Sequence, residues 1–284
     1  MAPIKVIFGA ASFPHSFSTI ESQTAVLSAL QSAGVTTLDT ARLYPGSEAA
    51  IGPLPDRTSF TIDTKVKGGF APGTATRAAV LSDIKDSLDK LKVPKVDVLY
   101  IHAPDASIPF EDTLAGINDA YKEGLFERFG ISNFTAEQVQ EVWDITGEKG
   151  WVKPSVYQGN YSPVARHLET LLFPTLRRLG LSFYAYSPLA GGFLTKSVAD
   201  LDGGKGRFAA GGLYAKLYDN KGLRDGLEAW GKVAEEEGVS KAELAYRWVG
   251  YNSQLKSELG DAVLFGASRL EQVGETAGWL AKGG

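Results

Sequence analysis

The sequence predicts one α/β domain over residues 1–284, a closed (β/α)8 TIM barrel with a long loop after its seventh strand. Three observations predict it. Eight short strand-like runs recur along the chain, amphipathic stretches with helical spacing lie between them, and no composition break or Pro/Ser linker divides the 284 residues. Units of roughly 30 to 35 residues suit one barrel of about 250 residues better than two doubly wound halves.

The strand-like runs are residues 4–8, 37–39, 60–65, 96–101, 129–132, 155–158, 181–186 and 262–265. Several are almost continuously apolar, as in Val96, Val98, Leu99, Tyr100 and Ile101. That is the pattern of a parallel sheet covered by helices on one face and packed side chains on the other. Val80, Ile84, Leu88 and Leu91 recur at helical spacing with charges opposite, as do Leu114, Ile117 and Tyr121. Residues 187–223 hold Gly191, Gly192, Gly203, Gly204, Gly206, Gly211 and Gly212 and carry little apolar periodicity. Such a segment is too long for an ordinary connection and reads as a functional or mobile loop. Residues 223–252 read as two consecutive helices, an insertion before the last strand.

A net charge of -4 offers no pull toward nucleic acid or anionic membrane. With no cysteine, zinc-thiolate sites, disulfides and cysteine nucleophiles are excluded, and no metal site is expected. The apolar run 6–13 is short and lacks a cationic lead, so a cytoplasmic location is expected rather than secretion. No run reaches the roughly 18 apolar residues of a membrane span.

In such a barrel the C-terminal strand ends gather the chemistry. Asp39, Lys65 and His102 fall at or just past strand ends, and Tyr44 follows Asp39 by five residues. A phenol with an ordinary pKa near 10 is a poor acid at neutral pH, so something must lower it. A lysine ammonium favours phenolate, an aspartate holds that lysine charged, and an imidazole can bond the same substrate oxygen. The set suits polarising and protonating a carbonyl; the electrons must come from a cofactor. Taken singly, Asp39 reads as a cap, Tyr44 as a loop tyrosine, Lys65 as a snorkelling strand end and His102 as a packing residue.

The second half of the chain offers cofactor contacts at the same rim. Ser132, Asn133 and Gln158 end strands with groups that can bond a carboxamide, and Tyr186 is placed to stack on a flat ring. The segment Ser187-Pro188-Leu189-Ala190-Gly191-Gly192-Phe193-Leu194 offers backbone N–H groups for phosphate, Pro188 itself having none. Gly266, Ala267, Ser268 and Arg269 lead into a predicted helix whose N-terminus suits an anion. Neither a Rossmann nor a P-loop glycine motif occurs, so any nicotinamide cofactor is held in a barrel-specific way.

The stretch Asp39-Thr40-Ala41-Arg42-Leu43-Tyr44-Pro45-Gly46-Ser47-Glu48, with Thr64-Lys65 and His102-Ala103-Pro104-Asp105, resembles the signature of the aldo-keto reductases. The segment Val156-Tyr157-Gln158-Gly159, the loop from Tyr186 to Thr195 and Gly206-Arg207-Phe208 are most similar to the aflatoxin-aldehyde and succinic-semialdehyde reductase branch. The resemblance implies NADPH-dependent reduction of small aldehydes or ketones, and a homodimer as the family expectation. It makes Tyr44 the general acid, tuned by Lys65 and Asp39, with His102 orienting the carbonyl. Ser132, Asn133 and Gln158 would hold the nicotinamide amide and Tyr186 its ring. Residues 187–196, through Lys196, would wrap the pyrophosphate with Arg207, and Ser268 would take the 2′-phosphate.

Three departures qualify this carry-over. Gln272-Val273-Gly274-Glu275-Thr276 places threonine where the family usually has an adenine-contacting asparagine, and Gln272 where many members have a 2′-phosphate arginine. The sequence ends at Gly284, where that branch continues with a tail bearing an arginine for acidic aldehydes. Tyr218 and Lys221 fall where the branch places substrate contacts. An alternative reading is an NADPH-binding regulatory or redox-sensing barrel resembling potassium-channel β subunits; a weaker third is a non-redox lyase.

Overall fold

Eight parallel strands close on themselves in sequence order: β1 (Lys5–Gly9), β2 (Thr37–Asp39), β3 (Thr61–Val66), β4 (Val96–Ile101), β5 (Phe126–Ser132), β6 (Pro154–Asn160), β7 (Ser182–Tyr186) and β8 (Ala262–Phe265). This computed structural model describes residues 3–209 and 211–283, and residues 1, 2, 210 and 284 of the expected domain lie outside it. Pairing of Lys5 with Ala262 through Phe8 with Phe265 completes the ring. The fold is the expected (β/α)8 barrel.

Helices follow the strands: α1 (Ile20–Ser32), α2 (Ser47–Ile51), α3 (Arg77–Leu91), α4 (Phe110–Lys122), α5 (Ala136–Glu148), α6 (Leu168–Leu171), α7 (Phe173–Leu179), α8 (Val198–Asp202), α9 (Leu213–Tyr218), α10 (Lys221–Glu236), α11 (Lys241–Tyr251) and α12 (Glu271–Ala281). None is long and apolar enough to cross a membrane. Thr19 and Thr135 open α1 and α5 with reciprocal capping boxes, which satisfy backbone donors that a helix start otherwise leaves free.

The period of two in each strand divides the core. Phe8, Leu38, Ile62, Leu99, Ile101, Phe129, Ile131, Phe183, Val263 and Phe265 face outward into the main core beneath the helices. Ile7, Val98, Tyr100, Val156, Tyr184, Ala262 and Leu264 fill the barrel itself. β5 begins at Phe126, three residues before the apolar pattern suggested, because Arg128 is neutralised by Asp97 (Nε to Oδ1 2.9 Å, Nη2 to Oδ2 2.8 Å) and continues the ladder with Val98.

The segment 187–223 differs most from its sequence reading. It is built from two short helices, α8 and α9, and two 3-10 turns, Ala190–Thr195 and Gly206–Phe208. Phe193, Leu194, Leu201, Phe208 and Tyr218 meet Leu227 of α10 and Ala245 of α11 in a second hydrophobic core. Periodicity failed here because each short element contributes only one to three apolar residues. The first of the two consecutive helices, α10, starts at Lys221, where Asn220 Oδ1 accepts from Leu223 N (3.1 Å).

Candidate active site

Inward phase, rather than residue type, gathers the polar groups. On β3, Ile62 and Val66 face out, so Asp63 and Lys65 face in; on β2, Leu38 faces out and Asp39 in. Lys65 is completely buried and donates to Asp39 Oδ1 (2.5 Å) and to Thr40 O (2.9 Å). Gln158 Nε2 donates to the other Asp39 oxygen (2.8 Å), so the carboxylate is held from two strands. Burial works against the Lys65 charge, yet Asp39 and Tyr44 raise its proton affinity overall, and the ammonium persists.

The Lys65 ammonium lies 5.2 Å from the Tyr44 ring centroid, and the Tyr44 and His102 rings meet edge to face at 5.6 Å. The expectation that the Tyr44 phenol is lowered needs correcting. Lys65 does pull the proton affinity down, but burial outweighs it and Asp39 adds to burial, so the net direction is up. Tyr44 therefore stays protonated, the state an acid requires. Burial, reinforced by Lys65, pushes His102 down to about 3. Its imidazole is neutral at neutral pH and can donate one hydrogen bond to an oxygen without competing as the acid.

Sequence reading missed Phe70, which is largely exposed and sets its ring edge-on to His102 at 5.0 Å. Gly68 and Gly69 put it there: a Cβ on either would overlap the backbone of Ala103 or Pro104, so only glycine lets this turn rest on the chain after His102. Asn160 was missed as well. Its Nδ2 donates to Tyr218 Oη (2.7 Å), tying β6 to α9.

The residues proposed from sequence for a cofactor divide into groups. Asn133, at φ 63°, donates to His102 O (2.9 Å) and Ser132 Oγ (3.1 Å) and accepts from Tyr186 Oη (2.8 Å). One amide thus joins the ends of β4, β5 and β7. After β7, Ser187, Ala190, Gly191 and Gly192 all have positive φ, and Ala190 N and Gly192 N close the turn on Ser187 O (2.8 Å) and Leu189 O (2.9 Å). Gly191 has a second reason to be glycine, since a Cβ would overlap the Tyr214 ring. Pro188 and Leu194 bury their side chains, Pro188 has no backbone N–H, Leu194 N donates to Leu189 O (3.3 Å), and Leu189 is half-buried against the second core. The Lys196 carbonyl accepts from Lys241 Nζ (2.8 Å), and Arg207 is exposed with its guanidinium 5.5 Å from the Tyr214 ring.

After β8 lies a niche of convergent donors. Ser268 N (2.9 Å), Arg269 N (3.2 Å) and Ser268 Oγ (3.3 Å) all donate to Gln272 Oε1. Gly266 is exposed before it, Glu275 projects to solvent and Thr276 is buried. Of the two substrate contacts expected, Tyr218 is buried and bonded to Asn160. Lys221 does not join the cluster in this structure: it is 88% exposed and reaches forward one helical turn along α10 to Asp225 at 2.7 Å.

Residues 5–282 match the model of the aldo/keto reductase family. A protein of Leptosphaeria maculans named oxidoreductase sirO is 39% identical over 297 aligned residues, covering 99% of this chain and 90% of its own. An aldo-keto reductase of Pseudocercospora fijiensis is 36% identical over 91% of each chain, and human aflatoxin B1 aldehyde reductase member 4 is 38% identical over 88% of this chain and 80% of its own. Barrel, strand-end residues and relatives agree: the chain belongs to the aldo/keto reductase family and is an oxidoreductase acting on carbonyl groups.

Proposed function

We propose that the protein is an NADPH-dependent reductase that converts aldehydes or reactive ketones to alcohols, with Tyr44 as general acid. One observation carries the reading: a protonated Tyr44, a buried Lys65–Asp39 pair and a neutral His102 meet at one strand-end rim. When bound, NADPH supplies the hydride. His102 donates a hydrogen bond to the carbonyl oxygen, and Tyr44 gives that oxygen its proton as negative charge develops there. Lys65 stabilises the phenolate left behind, and Asp39 holds Lys65 in place.

The donor set fits the cofactor. Amide groups at Asn133 and Gln158 suit a carboxamide, the positive-φ run suits a pyrophosphate, and the Ser268–Arg269 niche suits a terminal phosphate for which Gln272 Oε1 stands in. Near the rim, Arg42 lies against Glu48, Asp83 and Asp86, and Lys67 is paired with Asp83. With those cations engaged and Phe70 flanking His102, neutral aromatic carbonyls are the favoured substrates. The test follows loss of NADPH absorbance with benzaldehydes, α-dicarbonyls and acidic aldehydes, with NADH in parallel. Fast turnover of the neutral aldehydes supports the reading; no turnover of any, despite cofactor binding, overturns it.

The phosphate niche gives a second expectation. Gln272→Glu places a carboxylate on the three donors and beside any phosphate, so NADPH affinity should weaken by about tenfold or more while NADH affinity changes little. Fluorescence titration of the two cofactors checks it. Equal losses for both would place the phosphate elsewhere.

A further inference from the structure

We propose that Asp63 is a positioning residue for this reaction: a buried carboxyl beside Asp39 whose charge sets how firmly Lys65 and Tyr44 hold their protons. The inference rests on the assignment of Tyr44 as the acid.

The geometry comes from strand register. Asp63 of β3 is the direct partner of Asp39 on β2, and adjacent parallel strands lie about 4.8 Å apart, so two carboxyls sit side by side inside the barrel. Lys65 is two residues along the same strand, on the same face. Its ammonium bonds Asp39 and Thr40 O. Asp63 is fully buried; Oδ1 accepts only from Val98 N (3.1 Å), and Oδ2 has no partner among the described residues. Lys65 is therefore committed to Asp39, and Asp63 forms no ion pair among the described residues.

Two adjacent buried carboxyls do not ionise together easily, and the one without a counter-ion keeps its proton. Burial first, then the negative charges of Asp39 and Asp97, push Asp63 up to about 7, against the pull of Lys5 and Arg128. The groups facing it are Asp39 from β2, Lys65 from its own strand, Asp97 and Tyr100 from β4, Arg128 from β5 and Lys5 from β1, with Tyr184 of β7 next to Tyr100. Arg128 is already paired with Asp97, and Lys5 lies over the Tyr184 ring at 5.5 Å. Loss of the Asp63 proton thus adds an uncompensated negative charge next to the Lys65–Asp39 pair. That charge raises the proton affinity of Lys65 and of Tyr44, making Tyr44 a weaker acid for reduction.

The sign follows directly. As pH rises through neutrality Asp63 ionises, and proton donation by Tyr44 slows. In the wild-type protein the single-turnover rate of benzaldehyde reduction should fall about threefold between about pH 6 and about pH 8. Asp63→Asn keeps an oxygen for Val98 N but cannot ionise, so its rate should stay level over that range. The same fall in both proteins, or no fall in either, overturns the proposal.

A second measurement needs no turnover. Infrared difference spectra between the same two pH values should show a protonated-carboxyl stretch disappearing in wild type and in Tyr44→Phe. Its absence from wild type overturns the proposal whether or not Asp63→Asn folds. Because Tyr44→Phe should keep the band, failure of the acid assignment and failure of the Asp63 assignment are read separately.

Discussion

Tyr44→Phe is expected to lower the single-turnover rate of aldehyde reduction by about 10²- to 10⁴-fold, the range for removing a general acid. NADPH affinity should hold within about twofold, since the change deletes one hydroxyl from a ring whose edge-to-face contact with His102 remains. The ring also keeps its place 5.2 Å from the Lys65 ammonium. His102 cannot substitute as the acid, because burial holds it neutral until pH falls to about 3. Rapid mixing with excess enzyme isolates the chemical step. A rate within about tenfold of wild type would remove Tyr44 from the proton transfer.

Lys65→Met is the second large effect, and it strikes stability and chemistry together. Asp39 would remain buried with Gln158 Nε2 as its remaining side-chain partner, and breaking such a pair costs about 3 to 5 kcal/mol. Tm should fall by roughly 10 °C, and the single-turnover rate by about 100-fold or more as the cation beside Tyr44 disappears. Adding Asp39→Asn removes the stranded charge. The double variant should recover most of the lost Tm and none of the lost rate, as calorimetry and stopped-flow traces would show. Recovery of both would mean that the pair serves the fold alone.

How much of this was legible beforehand depends on the kind of constraint. Asp39, Lys65 and His102 were readable because each falls at or just past the end of a strand-like run, where a barrel gathers its chemistry. Asp63 lies two residues before Lys65 in the phase of the barrel interior, and was passed over because it sits within the strand and not at its end. Asn160 and Tyr218 lie 58 residues apart, and no local pattern links them. The segment after β7 looked featureless because its core exists only once Phe193, Phe208 and Leu227 meet in space. Phe70 depended on a close approach that two glycines permit, which composition records only as two glycines.

The division of β2 and β3 into an outward apolar phase and an inward charged one has a consequence for descent. Leu38, Ile62, Leu99, Phe183 and Val263 sustain the packing, while Asp39, Asp63, Lys65 and Gln158 are interleaved with that phase and take little part in it. Inheritance can therefore edit the two sets separately. A lineage, or a protein engineer, can exchange one inward side chain and alter proton affinity or selectivity without rebuilding the wall that holds it.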